Sequence, residues 1–150
     1  MQKNMLWTIA ILGGLLLSAC GADGKFSSVY SSATFQNCQG CHAPGAPGFQ
    51  AGTEATQNWS TPESAYTSLQ GKASGLTGNF EACNGVAFLG STPETSLIMA
   101  ALDGTVRASF SSGECNADTI SDMTLKIGGA VPEADLVLLR EWIAAGAPND

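Results

Sequence analysis

The chain has 150 residues, with 13 Asp and Glu against 6 Lys and Arg, a net charge of −7 and 7 % aromatic residues. That length holds one ordinary domain, and the acidic balance excludes nucleic acid, whose phosphates need clustered Lys and Arg. With 18 glycines and few large apolar side chains, the core is lean and gains from a covalent cross-link or a bulky buried cofactor.

Residues 1–19 have the form of an export signal: Lys3 gives a positive start, 5–17 are apolar apart from Thr8, and Ser18 and Ala19 are small. The apolar run is too short for a comfortable membrane-spanning helix. Leu17-Ser18-Ala19-Cys20 resembles the bacterial lipobox, which implies that Cys20 is acylated and becomes the mature N-terminus. The bland alternative is an ordinary signal peptide with an unmodified Cys20. Acylation would hold the protein at a membrane, since each buried CH₂ contributes about 0.8 kcal/mol. The expected location is the bacterial cell envelope, on the periplasmic side. Gly21 after the cysteine resembles lipoproteins sent to the outer membrane. Residues 20–28 are small and polar and form a tether, leaving 29–150 as the domain. Loss of Lys3 leaves 13 acids against 5 bases, a net of −8.

The first expected helix covers 26–36, with Val29, Tyr30, Ala33 and Phe35 available for packing, and delivers Cys38. Cys38-Gln39-Gly40-Cys41-His42 is C-x-x-C-H, the haem c attachment signature. Two thiols at this spacing add across the porphyrin's vinyl groups, and the following imidazole reaches the iron. Two rivals use the same residues. A thioredoxin-like dithiol needs a βαβ setting that the pattern lacks. A zinc site needs four ligands, and no second Cys/His pair is suitably spaced. A Pro/Gly-rich turn follows at 43–48, where a carbonyl is expected to accept the His42 Nδ1 proton.

Thr61 caps a helix expected over 62–70, and Thr92 one over 93–102; both follow the tetrapeptide Ser-Thr-Pro-Glu. The last helix is expected over 132–145, with Leu136, Leu139 and Ile143 on one side and Trp142 beside them. That face should pack on the first helix and the haem edge. The stretches 71–90 and 103–121 have the character of loops. No sustained strand alternation is present, so the fold class is all-α.

Exported proteins keep few idle thiols, so the remaining Cys83 and Cys115 are expected to form a disulfide, the alternative being two buried free thiols. His42 is the chain's single histidine, so two histidines of one molecule cannot ligate the iron. The sixth position falls to Met, Lys, an amine, water or nothing. Met99 sits in an apolar helical run, where a Met is more often core filler. Met123 sits in an irregular, Gly-ended segment that can turn its thioether toward a metal, and is favoured. A thioether favours ferrous iron and raises the potential.

The order of these features resembles the cytochrome c family: the C-x-x-C-H pentad, a later loop methionine, and a closing helix ending Trp142-Ile143-Ala144-Ala145-Gly146-Ala147-Pro148. Residues 135–148 resemble the last helix of cytochrome c domains in large periplasmic bacterial proteins. Some of those also carry a cysteine shortly before the methionine loop, as Cys115 stands here. The resemblance implies one covalent haem c held by Cys38 and Cys41, with His42 and Met123 as iron ligands. The family's usual Met-Pro pair is here Met123-Thr124, and the stretch 50–115 is longer than in small cytochromes.

The expected function is electron transfer with a redox partner protein, without catalysis. No nucleophile–base set survives the shortage of histidine, and no phosphate loop stands out. The alternatives are an open-site haem protein acting as a peroxidase-like enzyme or gas sensor, and a binding lipoprotein in which haem is structural.

Overall fold

A computed structural model describes residues 23–46, 49 and 57–150. The signal segment, Cys20 and part of the 43–48 turn lie outside these residues. Among the described residues, seven short α-helices and a two-stranded antiparallel sheet make up a mainly helical domain. The hairpin is the departure from an all-α pattern.

The expected helix over 26–36 is two helices, α1 (Phe26–Tyr30) and α2 (Ala33–Gln39). Ser32 breaks them. Its extended backbone and its hydroxyl, which accepts from the Phe35 N–H, restart the helix, as Ser does at an N-cap. A second oxygen caps the same end: Asp135 Oδ2 accepts from Thr34 N–H (2.9 Å) and Thr34 Oγ1 (2.7 Å). α3 (Pro62–Leu69) starts as expected, with Thr61 and Ser64 capping each other and Pro62 in the first turn.

The second Ser-Thr-Pro-Glu behaves differently. It starts a 3₁₀ turn, Pro93–Thr95, and α4 (Leu97–Leu102) begins afresh. The fully buried Ser96 lies between them. Its hydroxyl donates to the Thr92 carbonyl (2.7 Å) and accepts from Gly90 N–H (2.8 Å). Such local bonds compete with a continuous helix. α4 is buried on nearly every side and Met99 is fully enclosed.

The stretch 103–121 is more ordered than a loop. α5 (Gly104–Ser109) is capped by Asp103, which accepts from Thr105 N–H (2.8 Å) and Val106 N–H (3.4 Å). β1 (Ser111–Ser112) and β2 (Cys115–Asn116) pair across Gly113-Glu114. Gly113 has φ +62°, the left-handed value a two-residue hairpin needs at its first turn position. The stretch 71–90 contains a 3₁₀ segment, Gly78–Cys83, and a bridge between Lys72 and Ala87. The Cys83–Cys115 disulfide joins that segment to β2.

α6 (Met123–Ile127) and α7 (Glu133–Ala144) complete the chain. Leu136, Leu139, Trp142 and Ile143 are all buried, and α7 packs on α1. Phe26 meets Trp142 at 5.1 Å and Tyr66 at 5.3 Å between ring centroids. This aromatic knot gives the lean core its mass. Among the described residues, no helix is long and apolar enough to cross a membrane.

Candidate functional site

A cavity of about 580 Å³ opens beside α2, within the size range of small-molecule and cofactor sites (about 300–1,000 Å³). Cys38, Cys41, His42 and Met123 all line it. Leu76, Phe88, Leu97, Ile98 and Leu102 supply apolar wall, and Phe80, Ile120 and Ile127 add to it. The α7 face expected at this site lines none of it; those side chains are used against α1.

Local backbone geometry explains how the pentad reaches the cavity. α2 carries Cys38 to its last turn, and Gly40 closes the helix. Cys41 N–H (3.0 Å) and His42 N–H (2.8 Å) both donate to the Cys38 carbonyl. The pentad is thus wound tightly about one oxygen, with Cys38 buried, Cys41 exposed and His42 half-buried. Burial, with a smaller contribution from Cys41, pushes the Cys38 thiol up to about 12. It is therefore a protonated, poorly nucleophilic group near neutral pH.

Burial also holds His42 below the usual imidazole range, which favours the neutral, metal-ligating form. The Gln57 backbone acts in the opposite direction without reaching hydrogen-bond geometry, and Nδ1 is buried without a partner. No bond from it to a carbonyl of the 43–46 turn is present among the described residues.

Trp59 is the residue that sequence reasoning missed. Its N–H donates to the His42 carbonyl (2.6 Å). Its ring lies 5.2 Å from the His42 ring and stacks on Phe35 at 4.8 Å. Trp59 Nε1 donates to Gln57 Oε1 (3.0 Å), and Gln57 Nε2 to the Ser68 carbonyl (3.2 Å). The available signal was a tryptophan set among polar residues just before a helix cap, a place where only burial justifies it.

The two methionines of the described residues separate cleanly. Met99 points into the core and does not line the cavity, whereas Met123 does. Its segment is a short helix rather than irregular chain: Asp122 Oδ1 accepts from Thr124 N–H (2.9 Å), and Gly128 ends the helix at φ +83°. Cys83, disulfide-bonded to Cys115, also lines the cavity. Among the described residues, no three His, Cys, Asp or Glu side chains gather into a metal cage.

These side chains are chemically suited to a covalently attached porphyrin. Two thiols, one neutral imidazole and one thioether share a mostly apolar chamber, and that donor set fits iron held between nitrogen and soft sulfur. No protein-family model, curated protein or solved structure matches the chain.

Proposed function

We propose that this chain is a lipid-anchored, exported electron carrier with one covalent haem c, belonging to the cytochrome c family. Cys38 and Cys41 would hold the haem edge through thioether bonds, and His42 and Met123 would ligate the iron. When bound, the haem supplies a one-electron couple. Trp59 fixes the His42 ring, the largely apolar wall excludes water, and Met123 would supply the second protein ligand to the iron. Cys20 would carry the lipid, tying the domain to the periplasmic face of a membrane through the few residues before α1. The domain begins at Phe26, which is buried in the core, so the tether is shorter than the expected 20–28. Its redox partner would dock where the cavity opens.

The observation that carries this reading is that Cys38, Cys41, His42 and Met123, from opposite ends of the domain, line one apolar cavity. The test is the absorption spectrum of protein matured with a haem-attachment system, taken oxidised, reduced, and reduced under CO. Electron carriage predicts low-spin spectra in both states, a Met–iron charge-transfer band when oxidised, and little change under CO. Rapid CO binding would instead indicate an open-site haem enzyme or sensor.

A further inference from the structure

Met123 rides on a helix that should not stand alone. α6 has five residues, none of them buried, far below the length at which a helix holds in water. Leu125 is 78 % exposed. Nor does a proline stiffen the segment, since Thr124 follows the methionine. Apolar burial and local stiffness are both too small to fix this thioether.

A polar brace is present instead. Arg107, from α5, donates through one guanidinium nitrogen to the Ala100 (3.3 Å) and Ala101 (3.2 Å) carbonyls at the end of α4. Its other terminal nitrogen pairs with Asp122 Oδ2 at 2.7 Å. Asp122 uses its second oxygen, Oδ1, on Thr124 N–H (2.9 Å) and Thr124 Oγ1 (2.6 Å). One carboxylate therefore joins α6 to a cation anchored on α4 and α5, and the side chains are only 16 % and 27 % exposed. A forked, planar guanidinium is suited to holding three oxygens at once. Ala101, whose carbonyl is part of the anchor, and Met123, next to Asp122, both line the cavity.

We infer that Arg107 and Asp122 form a clamp that positions Met123 at the cavity, taking the part that a proline after the methionine would otherwise play. They are positioning residues, acting through α6. The inference rests on the reading of Met123 as an iron ligand.

The test uses the matured full chain and the variants Arg107→Gln, Arg107→Lys and Asp122→Asn, the last keeping an oxygen to cap Thr124. Two quantities are read: hydrogen exchange of the Gly128 and Gly129 amides, which bond to the Thr124 carbonyl, and the affinity of ferric protein for imidazole, which competes with Met123. The clamp predicts exchange at least tenfold faster and imidazole at least tenfold tighter in Arg107→Gln and Asp122→Asn. Arg107→Lys should recover part of both, and α7 amides should keep wild-type protection. Wild-type values of either quantity would overturn the clamp, as would equal acceleration in α7, which marks general loosening. The ligand reading fails separately, if wild type lacks the Met–iron band or Met123→Ala retains it.

Discussion

At the residue scale, the two methionines give the sharpest contrast. Met99 is fully enclosed in α4, so Met99→Ala is expected to cost about 2–5 kcal/mol of stability and leave the visible spectrum unchanged. Met123→Ala should do the reverse, abolishing the Met–iron band and opening the iron to CO with little loss in urea unfolding, because that side chain is only half-buried. The cysteines differ as well. In the folded chain before cofactor attachment, iodoacetamide at pH 8 should modify exposed Cys41 at least about a hundredfold faster than Cys38, whose buried thiol is held near 12, since the thiolate is the reacting form. Equal rates, measured by peptide mass, would contradict that burial. The pentad was legible because its chemistry is local: one turn of helix and one tight turn fix all three side chains. Trp59 was not, because its role comes from packing on His42 and Phe35, which sequence spacing does not encode.

At the element scale, caps explain both the successes and the misses. α3, with its reciprocal Thr61–Ser64 cap, and α7, with its long apolar face, were readable. α5 was not. It is six residues beginning with Gly104, too short for a periodic pattern, and it depends on a buried Asp103 paired with Arg140 of α7. Burial alone would raise the Asp103 pKa, but the Thr105 and Val106 amides and Arg140 outweigh it and hold the carboxyl below its ordinary 3.8. The stabilisation is therefore complete above that value and lost as pH falls through the lower folded-state one. Asp103→Ala is expected to cost about 1–2 kcal/mol at pH 7, with the gap from wild type closing in thermal melts below about pH 4. A gap that persists in strong acid would mean packing, rather than charge, holds α5. The broken 26–36 and 93–102 helices have one cause: Ser32 and Ser96 offer the backbone side-chain partners, and tertiary contacts to Asp135 and Gly90 select the break.

At the scale of the whole molecule, a lean core is reinforced by cross-links. The Cys83–Cys115 disulfide spans 32 residues, and closing such a loop is worth roughly 3–4 kcal/mol in the chain-entropy model. Replacing both cysteines by Ser should lower unfolding stability by about that amount, read from the urea midpoint, and an unchanged midpoint would show that the loops are held by packing alone. The chain's end is tied back too: Trp142 Nε1 donates to the Pro148 carbonyl (2.8 Å), Tyr66 Oη to that of Ala147 (3.1 Å), and Asp150 accepts from Ser27 N–H (3.1 Å). Aromatic knot and disulfide leave a mostly apolar chamber beside α2 open among the described residues. Its wall draws on residues from Asn37 to Ile127, so only its pentad corner and Met123 were visible in the sequence.

Peptide mass after denaturation addresses the cofactor most directly. Trypsin cuts after Lys25 and Lys72, releasing residues 26–72 with both pentad thiols. From matured protein, that peptide should carry the added mass of one haem and absorb visible light after the chain is unfolded. The same fragment at its bare polypeptide mass, colourless and with two alkylatable thiols, would contradict the account.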